Sequence, residues 1–185
     1  MRCNLYKVSE KPLVGAAEIK ARVAELASEI ALSFDYDILL SALTGAYMFT
    51  ADLSRELAKV QGARAQQKKI AFIKASSYGN STESSGKLQV FGLERLDFQN
   101  KRVLVIDDIA DSGNTLLGLV GMLRERGACD VRTCVLLNKQ ERRTVDFKAD
   151  FVGFEIANEF VVGYGLDCAD NYRFLPEIWT LQEVN

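Results

Sequence analysis

The 185-residue sequence contains no histidine. That absence removes every mechanism that needs an imidazole, including Ser-His-Asp and Cys-His nucleophile systems and His-ligated zinc. Cysteine is sparse: Cys3, Cys129, Cys134 and Cys168, with no Cys-x-x-Cys pair. In a reducing compartment these read as free thiols, and Cys134, inside an apolar run, reads as buried. No apolar run is long enough to span a bilayer. The first residues, Met1-Arg2-Cys3-Asn4-Leu5-Tyr6-Lys7, lack the apolar centre of a signal peptide, so a cytoplasmic chain without membrane contact is expected. Neither sign of charge is in excess, with 23 Lys and Arg against 25 Asp and Glu. The resulting net charge of −2 gives no whole-chain case for nucleic-acid binding. The Gly-x-Gly-x-x-Gly, Gly-x-x-x-x-Gly-Lys-[Ser/Thr] and Gly-x-Ser-x-Gly motifs are absent as well.

What is present is an ordinary globular composition, 48% hydrophobic and 26% charged, in a length that suits one domain. Ile19, Val23, Leu26 and Ile30 recur at helical spacing and predict an amphipathic helix over 16–33. An apolar run over 37–43 reads as a buried strand. Met48, Phe49, Leu53, Leu57 and Val60 mark a second helix, ending near Gly62. Strands follow at 69–74, 87–91 and 101–106. A third helix over 114–126 carries Leu116, Leu119, Val120 and Leu123 and stops at Gly127. Another strand covers 131–137, and two short strand-like pieces lie around 150–154 and 160–164. Residues 166–185 are mixed. This alternation predicts an α/β fold with a mostly parallel sheet and helices on both faces. Residues 75–87 stand apart as a small, polar stretch with almost no apolar anchor. So long a loop in a compact domain is either a surface tip or functional.

In such folds ligands bind at the carboxyl ends of the strands. The strand over 103–106 delivers Asp107, Asp108, Asp111, Ser112, Gly113, Asn114 and Thr115 to that edge, and 107–113 reads as a sharp acidic turn. Carboxylates crowded there need a cation, a hydroxyl-rich ligand or a proton to be tolerable. The helix start directly after them offers free N–H groups, a favourable dipole and the hydroxyls of Ser112 and Thr115 to a phosphate. A ribose 5-phosphate needs both chemistries within a few ångströms. An Asp or Ser cap on an ordinary helix is the plain alternative, but it leaves the acidic pair unexplained.

The segment Val103-Leu104-Val105-Ile106-Asp107-Asp108-Ile109-Ala110-Asp111-Ser112-Gly113-Asn114-Thr115-Leu116 resembles the phosphoribosyl-diphosphate (PRPP) motif of type I phosphoribosyltransferases. Three further stretches resemble the hypoxanthine phosphoribosyltransferases among them. Residues 43–53, beginning Leu43-Thr44-Gly45, are similar to the pyrophosphate loop and its helix. Residues 76–86 look like the catalytic lid. Residues 149–156 and 160–167 resemble the purine pocket. The stretches run in family order from about 16 to 176.

The resemblance implies a type I phosphoribosyltransferase-like domain over 1–185, with a core at roughly 35–140. A small purine-binding hood would be formed from 1–15 and 141–185. It implies magnesium-dependent transfer of the 5-phosphoribosyl group from PRPP to N9 of hypoxanthine, with guanine as a further substrate, giving a nucleoside monophosphate and pyrophosphate in purine salvage. Asp107 and Asp108 then hold the ribose hydroxyls directly or through Mg2+, with Asp167 as a further metal ligand. Asp111 faces purine N7. Ser112, Gly113, Asn114 and Thr115 cradle the 5′-phosphate. Lys139 donates to O6 of a 6-oxopurine base, Phe160 stacks on the ring, and the Val161 carbonyl reads its Watson–Crick side. Leu43, Thr44 and Gly45 bind pyrophosphate with Arg173 beside them, and Ser77 and Tyr78 close over the reacting centre. Family members commonly carry Glu where this chain has Asp107, and Lys where it has Thr44. The family also implies a homodimer or homotetramer. The competing reading is a phosphoribosyltransferase-like, nucleotide-sensing regulator that binds RNA; Asp111, Lys139 and Phe160 in register speak against it, as does the net charge.

Overall fold

The structure, a computed structural model, describes residues 6–77 and 88–183. Its centre is a six-stranded sheet in the order β4-β3-β2-β5-β6-β7. The strands are β2 (Ile38–Leu43), β3 (Lys69–Ser77), β4 (Leu88–Phe91), β5 (Arg102–Ala110), β6 (Asp130–Asn138) and β7 (Phe151–Glu155). All pairings are parallel except β3 with β4. Parallel neighbours need crossovers, and helices α1 (Ala16–Ser33), α2 (Tyr47–Gln61) and α3 (Asn114–Glu125) lie against the sheet.

Strand alternation decides which helix covers which face. In β5, Leu104 and Ile106 join the cluster built with α1 and α2, whereas Val103 and Val105 join the cluster built with α3. All four are fully buried, as expected for a strand covered on both sides. Helix α1 buries Ile19, Val23, Leu26, Ala27 and Ile30, the stripe its spacing predicts. Each large apolar side chain so placed contributes about 2 kcal/mol. Ser41 of β2 and Thr50 of α2 share a buried hydroxyl–hydroxyl bond of 2.7 Å.

A second, antiparallel sheet of three short strands forms the hood, in the order β1 (Tyr6–Val8), β9 (Trp179–Glu183), β8 (Val161–Val162). Local pattern shows neither β1 nor β9, because strands of three and five residues carry too little alternation and their pairing is remote. Trp179 packs with Val8 and Tyr172 around buried Val162, Cys168 and Leu181.

Two expectations need correction. Strand β5 continues to Ala110, so Asp107 and Asp108 belong to the strand and only 111–113 form the turn. The cause is tertiary: Asp107, Ile109 and Ala110 stay in register with Val135, Leu137 and Asn138 of β6, and that ladder overrides the weak strand preference of aspartate. Secondly, Cys129 and Cys134 are free thiols, but buried Cys168 is disulfide-bonded. Spacing cannot reveal a bridge set by tertiary approach. Cys3 lies outside the described residues. Among the described residues no helix is long and apolar enough to cross a membrane.

At the opposite ends of these strands an ion-pair cluster ties β2 to β5: Arg102 pairs with Asp37 and with Asp35 (3.0 Å), and Asp35 pairs with Lys68. The Asp37 carboxylate, just before β2, accepts from the Arg102 backbone N–H (2.9 Å), Nε (3.1 Å) and Nη2 (2.9 Å) at the start of β5. The bond to the Arg102 guanidinium holds the Asp37 carboxyl down at about 2. A carboxyl held below its unfolded value stabilises the fold above pH ~4 and loses that contribution as pH falls towards about 2. Because both side chains are about a third exposed, screening leaves the pair roughly 1 kcal/mol. Urea unfolding of Asp37→Asn is expected to show that loss at pH 7, with the two stability curves converging between pH ~4 and about 2.

Candidate active site

The carboxyl ends of β5 and β6 open into a cleft of about 540 Å³. Asp108, Ile109 and Asp111 line one side, Lys139 and Arg142 another, and the hood adds Phe160, Val161, Leu166 and Asp167. A separate cavity of about 460 Å³ between α1, α2 and the 174–176 stretch contains none of the acidic-turn residues. Of the expected site residues, Asp108, Asp111, Lys139, Phe160, Val161 and Asp167 line the first cleft, whereas Asp107, the 112–115 turn, the 43–45 loop and Arg173 are not part of its lining.

Burial pushes the Asp107 carboxyl well above the usual carboxylate range, and the neighbouring Asp108 charge adds to the rise. Asp108 is raised by burial too, against the opposing help of Asp107, the Ile109 N–H and Arg173. The Ile109 N–H donates to Asp108 Oδ1 at 2.8 Å. Two adjacent carboxyls that resist ionisation together are a ready site for a divalent cation or for ribose hydroxyls. Hard oxygen donors of this kind suit Mg2+, which keeps few protein ligands and fills its shell with water and phosphate oxygens. Among the described residues no three acidic or cysteine side chains gather as one metal cluster, so Asp107, Asp108 and Asp167 do not form a closed cage.

Lys139 is buried, and burial lowers its ammonium, opposed by the charges of Asp111 and Glu159 and assisted by Arg142. Its backbone N–H donates to Ala110 O at 3.0 Å, which fixes it beside the end of β5. Arg142 Nε stands 2.9 Å from Asp111 Oδ1 as an ion pair, but that buried oxygen lacks an aligned hydrogen bond. It is thus an acceptor waiting at the cleft floor. Phe160 is 38% exposed at the cleft, and its carbonyl accepts from Leu181 N–H. Val161 is buried in β8, paired with Thr180.

The turn then enters α3 with Gly113 as its N-cap (φ +87°) and no side-chain cap. Asn114 Nδ2 donates to Ser112 Oγ (3.1 Å) and to Thr144 Oγ1 (2.8 Å). Ser112, Gly113, Asn114 and Thr115 therefore form one connected rim at the helix start, where N–H groups and the dipole favour an anion.

Gly45 joins the parts. A Cβ there would lie 1.5 Å from Asp108 Oδ2, so the loop after β2 tolerates no side chain at this position. Gly165 (φ +100°) closes from the hood side, where a Cβ would lie 2.1 Å from Gly45 O. Leu43 and Thr44, joined by a cis peptide, precede Gly45 and are exposed. The Thr44 carbonyl accepts from Tyr47 N–H at the start of α2. Tyr164, held at φ +50°, donates its hydroxyl to Asp52 Oδ2 at 2.6 Å and so ties the hood loop to α2.

Asp167 and Arg173 are linked at 2.9 Å. Arg173 also donates to Gly165 O at 2.8 Å and to Asp170 Oδ1, so it anchors the 165–170 loop as well as facing the acidic pair. Ser77 ends β3 opposite Leu88. Tyr78 and the rest of the expected lid lie outside the described residues. Sequence reasoning missed Arg142, Arg143 and Thr144, because two arginines in a polar turn read as solvated charge.

Gly45→Ala is expected to reduce the phosphoribosyl transfer implied by sequence by roughly 10²-fold, since an ångström-scale displacement of a reacting group carries a penalty of that order. Circular dichroism should remain that of the parent, because the clash meets one side chain at the carboxyl end of β5 and leaves the apolar clusters intact; steady-state turnover and thermal melts check both.

Residues 15–169 match the phosphoribosyl transferase domain family. The chain is 39% identical to a hypoxanthine-guanine phosphoribosyltransferase of Aquifex aeolicus over 94% of its length and 95% of the relative's. It is also 39% identical to the Bacillus subtilis hypoxanthine-guanine phosphoribosyltransferase, over 94% and 93%. A hypoxanthine phosphoribosyl transferase structure from Trypanosoma cruzi superposes with a TM-score of 0.84 at 38% identity, covering 96% of this chain and 93% of that one. The Bacillus anthracis hypoxanthine-guanine enzyme superposes at 0.81 with 34% identity, over 96% and 99%. On these likenesses the chain belongs to the hypoxanthine-guanine phosphoribosyltransferase family.

Proposed function

We propose that this chain transfers the 5-phosphoribosyl group of PRPP to N9 of a 6-oxopurine, hypoxanthine and also guanine, releasing pyrophosphate. The observation that carries the reading is a cleft lined by Asp111, Lys139 and Phe160 whose residue Asp111 immediately precedes the turn that opens α3 at Gly113. The N9–C1′ bond forms as the C1′–O bond to pyrophosphate breaks, through an oxocarbenium-like sugar that needs no protein nucleophile. Asp111 takes the proton from N7 as N9 attacks. Lys139, an ammonium with donors only, favours a 6-oxo group over the 6-amino group of adenine. Phe160 covers the base, and the Val161 carbonyl meets its Watson–Crick edge. The 5′-phosphate sits on Ser112, Gly113, Asn114 and Thr115. The backbone of Leu43, Thr44 and Gly45, with Arg173, receives the pyrophosphate.

Magnesium, when bound, supplies positive charge for the pyrophosphate leaving group. Asp107 and Asp108 would hold it or the ribose hydroxyls, with Asp167 as a further ligand from the hood. Ser77 and Tyr78 belong to the segment that would exclude water, which otherwise hydrolyses PRPP. Exposed Leu43, Ile70 and Phe72 offer an apolar face beside the pyrophosphate loop for a second copy, in keeping with a homodimer or homotetramer. Substrates this highly charged do not cross membranes unaided, so the reaction takes place where PRPP is made, in keeping with a cytoplasmic enzyme. The RNA-binding alternative finds no support among the relatives.

Nucleotide formation from PRPP and Mg2+ with hypoxanthine, guanine, xanthine or adenine tests the proposal. Product from hypoxanthine and guanine and none from adenine is expected; no product from any base overturns it. Asp111→Asn is expected to cut kcat by roughly 10²-fold or more while PRPP affinity, read by calorimetry, stays near that of the parent. Unchanged turnover would remove Asp111 from the N7 role.

A further inference from the structure

The segment after β6 grips the phosphate-binding turn from behind. Arg143 Nη1 donates to the Asp111 carbonyl at 3.0 Å, and the Thr144 N–H donates to the Ser112 carbonyl at 3.1 Å. Two consecutive carbonyls of the turn are thereby drawn to one side. Both peptides are planar and trans, so the N–H on the far side of each points the opposite way. These are the N–H groups of Ser112 and Gly113, and neither donates to any described residue. Gly113 stands at φ +87° in the left-handed region, a turn conformation of the kind that presents successive N–H groups to an anion.

Arg143 is built into this place. Its Nη2 donates to Asn138 Oδ1, and Asn138, itself buried, donates through Nδ2 to both oxygens of Glu155 at 2.9 Å. Its guanidinium lies 5.3 Å from the Phe147 ring centre. Its stem takes the space that a Gly113 side chain would need, with Cδ 2.9 Å from the position of a Cβ there. Among the described residues no carboxylate pairs with Arg143 directly, so the guanidinium's charge is directed at the Asp111–Ser112 peptide. A charged donor on a carbonyl polarises the whole amide and strengthens the N–H at its other end.

We infer that Arg143 is a positioning residue for the 5′-phosphate: it fixes and polarises the Asp111–Ser112 peptide so that the Ser112 and Gly113 N–H groups face a phosphomonoester, without touching the ligand itself. Thr144 assists through its backbone. The inference rests on the transferase reading for the identity of the ligand, but its phosphate-binding consequence can be read without turnover.

Arg143→Met keeps the stem and its packing and removes both donor bonds. The test compares it with the parent in kcat, KM for PRPP, KM for hypoxanthine at saturating PRPP, and calorimetric affinity for ribose 5-phosphate. The expected result is a rise of about tenfold in KM for PRPP and in the Kd of ribose 5-phosphate, with KM for the base within about twofold. Arg143→Lys keeps the charge but not the two-pronged fork, and is expected to fall between parent and Met variant. An unchanged ribose 5-phosphate Kd with a lowered melting temperature makes Arg143 merely structural and overturns the inference. An equal rise of both KM values overturns it as well. If the Met variant fails to fold, Arg143→Lys decides alone, and parental affinity in that variant counts against the inference. Should the parent make no nucleotide yet bind ribose 5-phosphate with Arg143-dependent affinity, the transferase reading falls and the inference stands. Binding of neither overturns both.

Discussion

Asp107 and Asp108 occupy consecutive positions at the carboxyl edge of β5, where burial opposes the ionisation of both and the Asp108 charge further opposes that of Asp107. The rest of the site is arranged around that tension. Gly45 carries no side chain because Asp108 already fills the space, and Gly165 closes against Gly45 from the other side. The Ile109 N–H and the Arg173 charge partly offset the burial of Asp108. A ligand that brings hydroxyls or a divalent cation stabilises the ionised form of such a pair. A stable fold has to hold this arrangement in place, and the long ladder between β5 and β6 does so from below.

From that strand end two opposite demands are met within a short distance. The acidic pair suits ribose hydroxyls or a cation, while the next turn suits an anion. The turn achieves this through backbone rather than side-chain charge. The carbonyls of residues 111 and 112 are drawn away by Arg143 and Thr144, and the N–H groups face forward. Positive side chains stay behind the backbone or, as with Lys139 and Arg142, face the base side of the cleft.

The hood adds Phe160, Val161, Leu166 and Asp167 to the cleft at the carboxyl ends of β5 and β6. Phe160 and Val161 reach the cleft only because β8 pairs with β9, which in turn pairs with β1 from the other end of the chain. The Tyr164 hydroxyl on Asp52 and the Arg173 bonds to Gly165, Asp167 and Asp170 then hold the loop beyond β8 against the core. Hood and core therefore meet through these bonds and through apolar packing, since Val161, Tyr164, Leu166 and Ile178 belong to the same buried cluster as α1 and α2.

Much was legible in sequence. The stripe at Ile19, Val23, Leu26 and Ile30 gave α1 its observed bounds, because helical burial has a short period that the local pattern carries. The strand, acidic pair and Ser-Gly-Asn-Thr helix start marked the ribose phosphate chemistry, since residue types dictate which charges and donors are available. Asp111, Lys139, Phe160, Val161 and Asp167 do line one cleft, as their family register implies. What could not be read were facts made by approach across the fold. Asp107 and Asp108 lie in β5 rather than in a turn because β6 holds them there. Strands β1 and β9 exist because they find each other. Cys168 is bridged although its spacing suggests a free thiol. Arg143 resembles any surface arginine until the backbone it grips is seen. Sequence by itself determined the chemistry on offer and the local periodicity, which depend on residue type and near neighbours. The tertiary structure alone decided which backbone groups are turned towards the ligand, because that direction is set by hydrogen bonds from residues some thirty positions away.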